Sequence, residues 1–310
     1  MVPVVDGRDR LGVLVLGAAP GAGPFSSLDA ALATDLGHRA GASLRNARAF
    51  DHERSAATTL QHSLLPSLPT VAGLEVCGTY VPAATGAEVG GDWYDVMAQD
   101  DRSVVVTIGD VTGHNMAAAA TMGRVTSAIR CYAHEGLSPS GVLGRLDGLR
   151  DYILGDLFAT CTCLRLRPTP DGWSVTISNA GHLPPILLPL EGEAQVVDAG
   201  LGPLLGPYDA PARQDGHLDL PWGGLLLLYT DGLVERRGEG IDISVERLRH
   251  AAGVLDRTAP VDDVCAKVNV DLRPDGSDDV AVLALRAGPP PATPRGRSTS
   301  REGMLSGATT

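Results

Sequence analysis

Residues 103–123 read SVVVTIGDVTGHNMAAAATMG. Val104 to Ile108 form a short β-branched run that suits a strand, and the run stops at Gly109-Asp110. Gly109-Asp110-Val111-Thr112-Gly113 is then a sharp strand-to-helix turn, and the alanine-rich stretch from Met116 opens a helix expected to reach residue 133. Two other apolar runs carry an aspartate at the end: Leu225 to Tyr229 leads to Thr230-Asp231, and Asp278-Asp279 leads into Val280 to Leu285. A fourth acidic group, Gly90-Gly91-Asp92-Trp93-Tyr94-Asp95, precedes the first run. Folded together, four such strand ends would bring their carboxylates to one edge of a core.

Outward from these runs the chain keeps the same rhythm. LEVCGTYVPA from Leu74, FATCTCLRLR, WSVTISNAG, PILLPL, LLLLYTDG and VAVLALR are short apolar stretches punctuated by Gly and Asp, and they predict strands. Helical stretches lie between them at 116–133, 138–153 and 244–256. The expected class is α+β, with helices packed on antiparallel sheets.

Upstream, LGVLVL at 11–16 predicts a strand, and a Gly/Pro loop through Pro24 leads to a helix starting near Ser26 or Ser27. That helical pattern runs through Phe50 into DHERSAATTLQHSLLP, where Pro66 ends it. Beyond Leu285 the composition turns to Pro, Gly, Ser and Thr, which predicts a disordered tail. The expected divisions are a short N-terminal unit at 1–50, a linker helix at 51–70, the main domain at 71–286 and the tail at 287–310.

The chain has 310 residues, 44% of them hydrophobic, and a formal net charge of −12. Acidity of that size excludes a nucleic-acid binder that works through a basic face. No apolar run is long enough to span a bilayer and no signal peptide is recognisable, so the expected compartment is the cytoplasm, with no membrane partner. Lysine occurs once, at Lys267. The five cysteines, Cys77, Cys131, Cys161, Cys163 and Cys265, include no C-x-x-C pair and form no zinc or disulfide framework. Cys161 and Cys163 alternate along one strand and read as small core residues on a shared face.

Any one strand-end aspartate is an ordinary turn or cap residue. Several crowded together raise one another's pKa and repel, unless cations neutralise them. Oxygen-only ligands select Mg²⁺ or Mn²⁺, and two such ions can acidify a water and stabilise a phosphoryl group in transfer. Gly90-Gly91 would allow the backbone to approach such a shell closely.

VGGDWYD at 89–95, GDVTGHNMAAAATMG at 109–123, NAGHLPP at 179–185, YTDGLVE at 229–235 and SDDVAVLALR at 277–286 together resemble the successive motifs of PPM-type (protein phosphatase 2C-like) serine/threonine phosphatases, in the sporulation stage II protein E and RsbU-like branch. The resemblance covers about residues 60 to 286. It implies a β-sandwich flanked by helices, hydrolysing phosphoserine or phosphothreonine with two Mn²⁺ or Mg²⁺ ions and without a covalent intermediate. Carried over by position, Asp92, Asp110 and Asp231 would be catalytic, with Asp110 bridging both ions and Asp92 holding one directly or through water. The Val111 carbonyl joins the shell, and Asp231 and Asp278 complete its second side, with Asp279 the alternative to Asp278. The implied partner is a phosphorylated signalling protein, such as an anti-sigma-factor antagonist; the alternative is an inactive module of the same fold that binds a partner.

The N-terminal strand and helix resemble the closing strand and last helix of a GAF domain, most of which is missing. An apolar stripe of Leu44, Ala47, Phe50, Ala57, Leu60 and Leu64 on the helix predicts pairing with a second copy, or packing on the main domain. His182 could serve as a general acid, although a brace for the Asn179–His182 turn is the tighter reading. His114 could position a water or cap the following helix. Gly17 to Gly23 lacks the Lys-Ser/Thr ending of a phosphate-binding loop. Asn115 stands where the family has the second glycine of Gly-His-Gly. If the position needs only a positive φ, which asparagine tolerates, activity is nearly normal. If it needs the missing Cβ, the site is modestly impaired, and on that expectation Asn115→Gly would raise activity or metal affinity.

Overall fold

The computed structural model describes the whole chain except residues 8, 22, 65, 84–89, 114, 207–210, 237, 273–277 and 289–310; at 52–64 and 272 only the backbone is described. Two strands, β1 (Val2–Asp6) and β2 (Asp9–Leu14), form an antiparallel hairpin ahead of the long helix α1 (Ser27–Leu64). Then follow β3 (Leu74–Val81), β4 (Trp93–Ala98), β5 (Val104–Val111), α2 (Met116–His134), α3 (Pro139–Gly148) and α4 (Arg150–Ile153). The strands β6 (Ala159–Thr169), β7 (Gly172–Ala180), β8 (Ile186–Leu188), β9 (Gln195–Val196), β10 (Leu201–Gly202), β11 (Gly216–Pro221) and β12 (Leu225–Tyr229) come next. The last elements are α5 (Ile241–Gly253), α6 (Val261–Leu272) and β13 (Val280–Ala287).

The main strands make two sheets. One has the order β10-β7-β6-β5-β4, with β11 also paired to β7, and the other the order β3-β13-β12-β8-β9. Residues from alternate positions fill the space between them: Val104, Val106 and Ile108 of β5 meet Leu226 and Leu228 of β12 and Leu283 of β13 in one cluster. The intervening residues face outward onto helices. Val105, Cys161 and Cys163 pack with Met122, Val125, Ile129 and Leu143 of α2 and α3. Leu225, Leu227 and Tyr229 pack with Val245, Leu248, Val264 and Val268 of α5 and α6.

Four layers result, helix, sheet, sheet, helix, as the expected sandwich requires. Because both faces of the central strands are covered, their sequences are continuous apolar runs rather than alternating ones. Each fully buried Val, Leu or Ile in them contributes about 1.5–3 kcal/mol.

Several elements differ from the sequence reading. The N-terminus carries a hairpin rather than one strand, and α1 packs on it through Ala33, Gly37 and Gly41, which are buried. A Cβ on Gly37 or Gly41 would overlap the carbonyl of Pro3 or Val5, so the small residues are what allow the strand to lie against the helix. The helix cap is Ser26, whose hydroxyl accepts from the Asp29 amide at 3.2 Å while Asp29 accepts from the Ser26 amide at 2.7 Å. The helix expected at 138–153 is divided at Leu149, and α6 and β4 were not distinguished in the sequence. The tail beyond residue 288 lies outside the described residues.

Candidate active site

Antiparallel pairing sets the site. Trp93 at the start of β4 is opposite Gly109 near the end of β5, and Tyr229 at the end of β12 is opposite Val282 near the start of β13. Each sheet therefore delivers one strand start and one strand end to the same edge of the sandwich. Asp92 and Asp110 come from the first sheet; Asp231, Asp278 and Asp279 come from the second.

Asp92, Asp110 and Asp231 form a tight cluster in which each offers an oxygen within 4.8 Å of the others. Asp278 and Asp279 join these three around a hollow of about 70 Å³ whose remaining walls are Gly90, Gly91 and Gly113. The two neighbouring acids differ. Asp279 is buried and its Oδ1 accepts from the Ala83 amide at 2.8 Å, whereas Asp278 is exposed and accepts from the Asp279 amide at 2.8 Å. The Val111 carbonyl lies against Gly91, at the Asp110 side of the cluster.

A side chain has no room at Gly90 or Gly91. A Cβ would overlap the Asp279 carboxylate at the first and the Val111 carbonyl at the second. Close approach, not a positive φ, is what these glycines provide.

Burial and mutual repulsion push all three clustered carboxyls up. Asp110 is raised to about 7, first by burial and then by Asp231 and Asp278. Asp231 is raised to about 6 by burial, then by Asp278 and Glu235. Burial, followed by Asp110 and Asp231, holds Asp92 well above the ordinary carboxylate range. A group of acids kept this close is suited to a multivalent cation.

Thr230 was not singled out in the sequence, yet it connects the two halves. Its hydroxyl accepts from the Ala281 amide at 2.9 Å and donates to Asp92 Oδ2 at 2.7 Å. With the amide on one side, the hydroxyl proton is directed at the carboxylate. Thr230 is fully buried, and its place between an apolar strand and Asp231 was the signal available in the sequence.

His182 makes a second connection. Its Nδ1 is 2.8 Å from the Thr160 hydroxyl and its Nε2 is 3.1 Å from the Tyr229 carbonyl. A carbonyl only accepts, so Nε2 carries the proton and Nδ1 accepts from Thr160. Burial lowers the imidazole to about 4, and the neutral ring has both nitrogens engaged. Asn179 holds the turn by accepting from the His182 amide at 2.8 Å and donating to its carbonyl at 2.9 Å. His182 is a brace in this arrangement.

The structure corrects the reading of Asn115. Its φ of −142° and ψ of 174° are extended, and its Oδ1 caps α2 by accepting from the Ala117 and Ala118 amides at 2.9 and 3.1 Å. The left-handed residue of the turn is Gly113, with φ of 102°. A glycine at 115 therefore relieves no strain and removes a cap. Asn115→Ala is expected to lower stability by about 1 kcal/mol and Asn115→Gly by only a few tenths, without a gain in metal affinity, as read by thermal unfolding with and without Mn²⁺. His114 lies outside the described residues. Asp95, the second acid of the GGDWYD stretch, points away from the cluster to α2, where Arg130 Nε donates to it at 2.6 Å.

This sandwich, with acids from both sheets meeting at one edge, is the fold of the PP2C phosphatase domains. The family model for stage II sporulation protein E (SpoIIE) matches residues 100–288, and the chain belongs to that family. The crystal structure of the RsbU and RsbW domains of Rv1364c from Mycobacterium tuberculosis is 32% identical with a TM-score of 0.64, covering 73% of this chain and 64% of that one. Phosphoserine phosphatase RsbU of Bacillus subtilis is 27% identical over 186 residues, 59% of this chain and 53% of the relative. Phosphoserine phosphatase RsbP of the same organism is 29% identical over 152 residues, 48% of this chain and 38% of the relative. The chain thus spans about half or less of the length of these two curated relatives.

Proposed function

We propose that this chain is a metal-dependent protein-serine/threonine phosphatase. The observation that carries the reading is the cluster of buried Asp92 with half-buried Asp110 and Asp231 at the meeting edge of the two sheets. The donor set fits Mn²⁺ or Mg²⁺: it is all oxygen, its carboxyls repel one another, and glycines leave a hollow beside it. Asp110, between the two sheets' contributions, would bridge a pair of ions; Asp92 and the Val111 carbonyl would hold one side, Asp231 and Asp278 the other. Asp278 is the better assignment than Asp279, because it is the stronger charged neighbour of both Asp110 and Asp231. Bound there, divalent cations supply the Lewis acidity that makes water a nucleophile at neutral pH and draws charge from the phosphoryl oxygens.

The chain's own residues orient and shield. Thr230 fixes Asp92, and His182 ties Thr160 to the end of β12. Thr160 and His182 satisfy each other, so neither the hydroxyl nor the imidazole on these walls is free to attack phosphorus, and the carboxylates are the groups that would hold the cations. This supports attack by water, whose proton leaves with the serine oxygen.

The proposed substrate is a phosphorylated protein of a bacterial signalling pathway, an anti-sigma-factor antagonist, in the cytoplasm. The phosphoserine phosphatases among its relatives support this. Among the described residues no helix is long and apolar enough to cross a membrane. Release of phosphate from p-nitrophenyl phosphate and from a phosphoserine protein, with and without Mn²⁺ or Mg²⁺, tests the proposal. Turnover that needs the cation supports it; its absence at every cation concentration leaves a partner-binding module.

Thr230→Val removes the hydroxyl at nearly constant volume. It is expected to raise the Mn²⁺ concentration needed for half-maximal thermal stabilisation about 10- to 100-fold, while Thr230→Ser preserves it. An unchanged midpoint in the valine variant would remove Thr230 from the site.

We extend the proposal to a second copy paired along α1, where Leu28, Leu32, Leu36, Leu44 and Phe50 are exposed. Ala57, Leu60 and Leu64 of the expected stripe lie outside the described side chains. A chain that sediments as a monomer at high concentration would overturn this extension. The GAF-like origin of the hairpin and α1 stands as part of the same proposal.

A further inference from the structure

The acidic cluster opens on two sides. Asp110 and Asp231 wall both the small glycine-lined hollow and a second one of about 260 Å³, whose other walls are Thr160, Gly181, His182, Leu183, Glu235 and Ile241. Because the two hollows share these walls, a phosphoserine held at the cluster would bring a neighbouring side chain within reach of the second.

Its chemistry is narrow. Among the described residues no arginine or lysine lines it, so none of these walls offers a phosphate a positive side chain. The His182 ring is neutral, and both its nitrogens and the Thr160 proton are committed, so the ring presents carbon. What remains is the apolar surface of Leu183 and Ile241, with the Glu235 carboxylate beside it. Ile241 begins α5 and is 42% exposed, so its side chain is open to a ligand.

On the reading of this chain as a phosphatase, we infer that the second hollow is a specificity subsite, taking an apolar side chain within two residues of the phosphoserine and rejecting an acidic one. Ile241 and Leu183 supply the favourable contact, and Glu235 supplies the repulsion. The volume accommodates a leucine-sized side chain with room for its backbone, and one or two buried methyl groups give roughly tenfold discrimination.

The test uses phosphoserine peptides with Ala, Leu, Lys or Glu at each of the two positions on either side, with Mn²⁺. The full chain is compared with its Ile241→Asp and Ile241→Val variants, and kcat/KM is measured for each peptide. At one of the four positions Leu should exceed Ala about tenfold and Glu should fall below Ala. Ile241→Val should retain that preference and Ile241→Asp should lose it, as a ratio within each variant. Equal kcat/KM for all peptides, or a leucine preference that survives Ile241→Asp, overturns the subsite while leaving the phosphatase reading intact. Hydrolysis of neither these peptides nor p-nitrophenyl phosphate overturns both.

Discussion

Asp110→Asn is expected to lower phosphatase kcat/KM by about 1,000-fold or more, roughly 4 kcal/mol of transition-state stabilisation, while making the metal-free protein more stable at pH 8. The two effects have one cause. Asp110 is raised from 3.8 to about 7 by burial and by the carboxylates around it. A folded-state pKa above the unfolded value gives a stability contribution that is complete below about pH 4 and lost as pH rises through about 7. At pH 8 the metal-free wild type therefore carries the full repulsion, and an asparagine removes its central member.

Each kcal/mol regained raises Tm by about 2–4 °C in a domain of this size. Mn²⁺ should stabilise the wild type at pH 8 and have little effect on the variant. Near wild-type turnover in Asp110→Asn at saturating Mn²⁺ would remove the assignment of this cluster as the reactive centre.

Gly91→Ala is expected to be nearly as damaging without altering a charge. The added methyl group overlaps the Val111 carbonyl and comes within 2.7 Å of Asp110 Oδ1. The Val111 amide donates to Gly91 O at 3.2 Å, so the two segments cannot separate without losing that bond as well. A displacement of about 1 Å at the cluster lowers kcat/KM about 100-fold, and overpacking costs about 1–3 kcal/mol. Gly144→Ala is the control, since a Cβ on this α3 residue meets nothing within 4 Å. It should raise stability by up to about 1 kcal/mol and leave turnover unchanged. Comparable losses in both variants would mean that Gly91 has no special place beside the site.

The sandwich was legible because its strands are covered on both faces, which turns β5, β12 and β13 into uninterrupted apolar runs ending in aspartate. β4 was harder to see: its pattern mixes Trp93 and Tyr94 with Asp95, an acid buried only because Arg130 reaches it from α2. α6 is short and carries two acids in its first turn, yet Val261, Val264, Cys265 and Val268 recur at the i, i+3, i+4, i+7 spacing of a helical face and are buried, so this signal was in the sequence. The clustering of Asp92, Asp110 and Asp231 followed from the motifs, whereas Thr230 is an ordinary strand residue until its partners across the sheet are known. Asn115 was misjudged because substitution for a glycine suggested a backbone requirement. The relevant property was the side-chain oxygen, which satisfies the first amides of a helix.

Among the described residues, Thr230 to Asp92 and His182 between Thr160 and Tyr229 join the sheets at the edge that carries the acids. Neither sheet alone would hold the proposed site: one brings two of the acids and the other brings the rest. On the proposed function, turnover would report quaternary-like docking inside a single chain. Any agent that slides one sheet across the other by a fraction of a residue spacing would silence the proposed activity while the secondary structure, and the circular dichroism, stayed the same.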